Sequence, residues 1–278
     1  MKQLRKGIQM ILVLGILLVM LFPIFYIVSH SLKPEKLMTL LYTKEGNALE
    51  KLWIHPFSIH LEQYYRILFR SPYYLYLFWN TILIVGAIVV GQISIAILAA
   101  YGFSKHKFKG SEMLFFIYIV MMLMPFQVTL VPSFIVLKKL TLLDQIGSLI
   151  LPGIFSSFGV FFLKQFMEGI DEAFLEEGRL MGAGELRILI SLIIPMCKPI
   201  IVSAMILIFI DYWSMVEQPV IFISTPEKMP LSVYLSSLSK DNIHIGFACS
   251  VLYMILPILC VLYGQEDLSD GLKITSLK

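Results

Sequence analysis

What most constrains this chain is a series of apolar runs long enough to cross a lipid bilayer. A hydrocarbon core about 30 Å thick takes roughly 20 apolar residues in a helix. Six segments qualify: 8–29; 71–104, with its core at 81–103; the stretch between Glu112 and Lys138; 145–163; 199–224, interrupted by Asp211 and Glu217; and 245–265. With 58% hydrophobic and 15% charged residues and a mean hydropathy of +0.83, the chain is too apolar for a soluble domain, whose apolar share is about half. The expectation is an all-α, polytopic membrane protein with six transmembrane helices.

The first run reads as a retained span rather than a cleaved leader. Lys2, Arg5 and Lys6 precede it, but its apolar stretch exceeds the roughly 7–15 residues of a signal core and ends in Val28-Ser-His-Ser without a small-x-small site. Lys and Arg near span ends set orientation. The densest clusters are the N-terminal tail and Lys105, Lys107 and Lys109 after the second span, which with six spans predicts both termini on the cytoplasmic side. Segment 32–73, with Lys33, Lys36, Lys44, Lys51, Arg66 and Arg70, then lies outside, as long loops escape the rule.

Several chemistries find no support. Cys197, Cys249 and Cys260 read as packing residues, and the histidines at 30, 55, 60, 106 and 244 form no ligand pair at helical spacing. No G-x-x-x-x-G-K-[ST] loop or G-x-G-x-x-G turn is present, so any ATP-driven work belongs to a partner. A net charge of +3 does not suggest nucleic acid. Gly86, Ala87 and Gly91 read as close-packing positions in the second span. The prolines at 23, 125, 132, 152 and 257 read as kinks without a site role.

One stretch, 172–199, is charged and glycine-punctuated where its surroundings are apolar. Residues 170–180 favour helix, with Asp171 and Glu172 at the positive end of the helix dipole. Gly182 and Gly184 break it, and 185–194 resumes helix before Pro195 and Pro199. Phe174, Leu175, Leu180 and Met181 alternate with Glu176, Glu177 and Arg179, giving a short amphipathic knob. A linker resting on lipid headgroups is the alternative, though its acidic residues suit an anionic leaflet poorly.

In the fifth span, Asp211 falls about twelve residues in, near the bilayer centre, where a carboxylate normally faces a cavity or a partner. With Tyr212, Trp213, Glu217 and Gln218 it forms a tentative substrate pathway suited to a polyhydroxylated solute; a hydrogen bond to a neighbouring helix is the other reading of Asp211.

The 172–199 loop resembles the cytoplasmic E-A-A motif of binding-protein-dependent ABC importer permeases. Glu176-Glu177-Gly178 takes the E-A-A place, Gly182 the glycine and Leu192-Ile-Ile-Pro195 the ending. Further matches fall in order: Phe22-Pro-Ile-Phe, Ser31-Leu-Lys33, Asn80-Thr81, Ala99-Ala-Tyr-Gly-Phe-Ser-Lys105, Met124-Pro125, Leu151-Pro152, Tyr212-Trp213 with Pro219, and Gly271-Leu272-Lys273. They are most similar to carbohydrate-uptake permeases of the maltose-importer G subunit type. Glu177, Met181, Ser214 and Gln218 depart from that pattern, where Ala, Asp, Asn and Trp are usual.

The resemblance implies a type I ABC importer permease fold. Residues 1–75 would hold the tail, first span and external loop; 76–265 the five-helix transmembrane domain with coupling loop 168–198; and 266–278 a cytoplasmic tail. It implies no cofactor on this chain, with ATP and Mg on the partner, and no enzyme activity of its own. The implied partners are a homologous second permease subunit, two ABC ATPase subunits, an extracytoplasmic solute-binding protein and the lipid of a bacterial cell membrane. Glu172, Glu176, Glu177, Arg179, Gly182 and Pro195 would couple to the ATPase. Runner-up readings are an ion-gradient-driven secondary transporter or channel, which would need more intramembrane ionisable groups than Asp211 and Glu217, and a membrane enzyme, for which no carboxylate or histidine constellation exists.

Overall fold

The computed structural model describes residues 2–43, 59–70, 72–238 and 242–276, and among these it contains helices and no strand. Readings that touch Lys44, Lys51, His55, Leu277 and Lys278 lie outside the described residues. The first elements are α1 (Lys2–Ser31), α2 (Glu35–Thr43), α3 (Glu62–Tyr65, continued by a π-helical turn, Arg66–Arg70) and α4 (Pro72–Lys105). Then come α5 (Ser111–Leu123), α6 (Phe126–Lys139), α7 (Gly147–Ile154), α8 (Ser157–Met167) and α9 (Glu172–Leu180). The rest are α10 (Glu185–Ile188, continued by Leu189–Ile193 and Ile194–Met196), α11 (Lys198–Trp213), α12 (Glu217–Phe222), α13 (Leu231–Ser236) and α14 (Ile243–Ser276).

Four stretches are long and apolar enough to cross a membrane: Gln9–Ser31, Pro72–Lys105, Gly147–Met167 and Ile243–Ser269. Two more spans are bent pairs. The third is not the single rod the sequence predicts: α5 and α6 meet at 103°. Proline at 125 lacks an N–H and drives Met124 to an extended ψ of 126°, which ends α5 one residue earlier. The fifth also differs. Its helix stops at Trp213, Glu217 belongs to the separate α12, and α10 joins α11 through a 77° bend.

The chain divides into two compact units. The first, Met1–Tyr76 with Tyr234–Leu256, carries α1, whose apolar face from Met10 to Phe25 is exposed. At the exit of α1, Lys33 Nζ lies 3.1 Å from His30 Nε2 and the Ser31 and Tyr64 hydroxyls share a 2.6 Å hydrogen bond. Part of the predicted external loop is thus helical, as α2 and α3, with Arg66 paired to Glu35 at 3.1 Å.

The second unit, Leu77–Val233 with Pro257–Lys278, is organised around α4. Leu77, Thr81, Ile84, Ile88, Gln92, Ala96 and Ala100 recur at helical spacing and are all buried, whereas Leu83, Val90 and Leu98 face outward. This stripe meets α7 and α8 at glycines. A Cβ on Gly91 would lie 2.6 Å from Ile154 Cγ1, and one on Gly159 would lie 3.0 Å from Ala96 Cβ. Gly86, the other glycine read as a packing position, has open space beside it. The end of α14 packs on α11, since Ser203 Oγ donates to Asp267 O at 2.9 Å, and any side chain on Gly264 would strike Ile206.

Candidate functional site

The charged island forms a helical hairpin. Asp171 caps α9, its carboxylate accepting the Ala173 N–H at 3.0 Å. One face of α9, Leu175 and Gly178, is buried, and a Cβ on Gly178 would stand only 3.2 Å from Ile188 on α10. The helix ends in a Schellman motif: Gly182 N donates to Arg179 O at 2.9 Å and Ala183 N to Gly178 O at 3.1 Å, with Gly182 at φ +79°. That left-handed position is why glycine stands there.

The hairpin turns an apolar tip outward. Leu180 is 89% exposed and Met181 76%, with Phe174 and Leu186 also exposed beside them. Glu172, Glu176 and Glu177 face solvent and form no ion pair among the described residues.

Its base is anchored to the end of α4. Glu185 accepts Arg179 Nε at 2.7 Å and Tyr101 OH at 2.7 Å, with His106 Nε2 3.7 Å away, and Lys105 Nζ donates to Ile170 O. The Arg179 hydrogen bond, then that of Tyr101, holds the Glu185 carboxyl below its ordinary range, and Glu185 in turn pushes the Arg179 guanidinium upward. Glu185 was read only as a helix start. Its partner Tyr101 stands 84 residues away, so no local pattern could reveal the tie to α4. Pro195, named with the coupling residues, lies exposed in the arm before the bend; α11 begins at Lys198.

The predicted pathway residues separate. Asp211, Tyr212 and Gln218 line an open cavity of about 600 Å³ whose wall is drawn from α4, α5, α6, α7, α8, α11 and α12. Trp213 does not line it; it is 2% exposed, stacked on Phe209 and edge-on to Phe78. Asp211 is exposed and sits two residues before the end of α11, not midway along a longer span, because the helix stops at Trp213. Asp211 is the only charged residue on the cavity wall among the described residues. Thr129, Ser133, Ser148 and Ser156 supply hydroxyls, and Phe126 and Phe158 supply aromatic surface.

The cavity also contains a residue that the sequence reading passed over. Gln92, in the middle of the buried α4 stripe, is 1% exposed and lines the cavity, and neither its amide oxygen nor its nitrogen has a hydrogen-bond partner among the described residues. Such an unpaired buried group costs on the order of 1–3 kcal/mol. The available signal was a lone amide within an uncharged run.

At the other end of α4 a second anchor appears. Asn80 Nδ2 donates to Lys228 O and Met229 O at 2.9 and 3.1 Å, and Leu231 N donates to Thr81 Oγ1 at 2.8 Å. Asp144, at φ +59°, accepts from Ser224 N, Thr225 N and Thr225 Oγ1 and pairs with Lys228 at 3.1 Å. The Thr225 hydroxyl and amide, followed by Lys228, hold its carboxyl well below the ordinary carboxylate range.

Residues 92–270 match the model of the family described as "binding-protein-dependent transport system inner membrane component". The arabinooligosaccharides transport system permease protein AraQ of Bacillus subtilis is 28% identical over 265 residues, covering 94% of this chain and 92% of that protein. The sn-glycerol-3-phosphate transport system permease protein UgpE of Yersinia enterocolitica is 27% identical over 207 residues, 73% of each. A chain from the crystal structure of a bacterial ABC transporter involved in the import of the acidic polysaccharide alginate superposes with a TM-score of 0.79 at 24% identity, covering 95% of this chain and 96% of that one. The fold is therefore the all-α fold of an ABC importer membrane subunit.

Proposed function

The chain belongs to the family of binding-protein-dependent transport system inner membrane components, and from that premise we propose that it is the permease subunit of an ATP-driven importer for a sugar or oligosaccharide. It pairs with a homologous second permease in a bacterial cell membrane, receives solute from an extracytoplasmic binding protein, and takes its drive from two ATPase subunits that hold ATP and Mg. Both termini and the 172–199 loop face the cytoplasm.

The observation that carries this reading is the hairpin, anchored at its base and apolar at its tip. Burying Leu180 and Met181 in a cleft of the ATPase removes exposed apolar surface, worth about 25 cal/mol per Å², while Glu172, Glu176 and Glu177 meet polar or basic groups around it. Arg179 holds the base through Glu185, Gly182 makes the turn, and Pro195 lies in the arm leading to the bend. ATP-driven movement of the hairpin would be passed along α4 and α11 to the cavity, where Asp211, Tyr212 and Gln218 meet the solute. The sugar assignment draws support from the arabinooligosaccharide relative and from a wall of hydroxyls, amides and aromatic rings.

Affinity purification of the tagged chain from its own membrane tests the docking. Wild type should retain the ATPase and the second permease. Changing Leu180→Asp should release the ATPase about tenfold or more while the second permease stays bound. Full ATPase retention defeats the docking surface, and uptake by the purified chain in liposomes without ATP would favour a gradient-driven carrier.

A further inference from the structure

We infer that Gln92, with Asp211, forms a solute subsite on this chain that selects a neutral polyhydroxylated solute against an anionic one. This rests on the importer reading and adds to it a residue and a substrate class.

The amide of Gln92 stands alone in an apolar helix stripe, 1% exposed, on the wall of the cavity, and both of its polar ends lack partners among the described residues. Gly159 leaves it room: a Cβ there would come within 3.5 Å of Gln92 Nε2. A carboxamide offers two donors and an acceptor, which matches the paired donor and acceptor character of adjacent sugar hydroxyls. Asp211 accepts hydroxyl protons from the same cavity, and Tyr212 and Phe158 offer ring surface. The volume of about 600 Å³ falls in the roughly 300–1,000 Å³ range of small-molecule sites.

The charge on the wall decides against anions. No Lys, Arg or His lines the cavity among the described residues, and the single charged group is a carboxylate. A phosphate or uronate entering it would meet repulsion with no compensating cation on the wall among the described residues.

The complete complex in proteoliposomes, with its binding protein, is given two probes: a ¹³C-labelled neutral oligosaccharide fraction from arabinan and starch hydrolysates, and sn-glycerol 3-phosphate. Wild type should take up a component of the neutral fraction in preference to glycerol phosphate. Gln92→Leu, close in size, should lower that uptake by about tenfold or more, since two or three hydrogen bonds are lost. Its complex should still retain the second permease and the ATPase subunits, and its melting temperature should not fall, because Leu suits the buried stripe. Asp211→Asn should likewise lower uptake of the neutral solute.

Uptake by Gln92→Leu within about twofold of wild type overturns the subsite. So does loss of the second permease from that variant, which would assign the amide to the subunit interface. Preference for glycerol phosphate, or no uptake of any neutral component, overturns the substrate class. ATP-independent uptake by wild type instead sinks the importer reading itself, a failure visible before any variant is made.

Discussion

Gly182 is the residue whose identity the backbone alone dictates. Its φ of +79° is left-handed while nothing lies within 4 Å of its Cβ position, so steric crowding plays no part and only conformation selects glycine. A β-branched side chain there costs about 1–3 kcal/mol and works against both Schellman hydrogen bonds. Gly182→Val should leave the chain in the membrane but cut ATP-driven uptake by about tenfold, whereas Gly182→Asn, a residue that tolerates the left-handed region, should keep most of it. Unimpaired uptake in the valine variant would remove the turn from the coupling path. This position was legible because glycine after a charged amphipathic helix has a local cause. Gln92 was not, because charge is what marks function inside a span, and a neutral amide does not stand out in an uncharged run. Trp213 was misplaced for a related reason: its neighbours Asp211 and Tyr212 reach the cavity, but at 100° per residue it turns to the opposite side and packs on Phe209.

At the scale of elements, α4 connects the two anchors. Thr81 and Tyr101 are twenty residues apart, about 30 Å along a helix at 1.5 Å per residue, close to the thickness of a hydrocarbon core. The 224–231 strap and the hairpin are thereby held at opposite ends of one membrane-crossing rod. The motif residues Asn80 and Thr81 gain a physical role here, as partners for the backbone of that strap. Such pairings, nearly 150 residues apart, leave no trace in local periodicity. Asp144 fastens the other side of the strap, and its carboxyl is depressed below the ordinary range, so the fastening is complete at neutral pH and is lost only as pH falls through that low folded pKa. Asp144→Ala should speed amide exchange at Ser224 and Thr225 by roughly tenfold while leaving the hairpin amides unchanged. Equal protection in the variant would show that Asn80 and Thr81 hold the strap unaided.

For the whole molecule, the question is whether the two ends of α4 communicate or merely share a helix. Stability and transport answer it differently. Sites about 30 Å apart with no common partner add in stability to within about 0.5 kcal/mol, so Asp144→Ala and Glu185→Gln should lower the melting temperature of the complex by amounts that sum in the double variant. In the proposed cycle transport has no such independence, because there the hairpin moves the cavity walls that the strap adjoins. Both anchors are in place at neutral pH. The Glu185 carboxyl is depressed by Arg179 and Tyr101, so its anchoring is fully present above the ordinary carboxylate range, about 4.3, and fades as pH falls through the lower folded value. If α4 carries the stroke, one delivered at the hairpin no longer reaches the strap once either anchor is cut, and cutting the second should cost little more. The expected result is additive loss of thermal stability together with an uptake defect in the double variant no more than about twofold worse than the poorer single. Uptake defects that multiply as independent steps would mean that α4 holds its two ends in place without carrying the stroke between them.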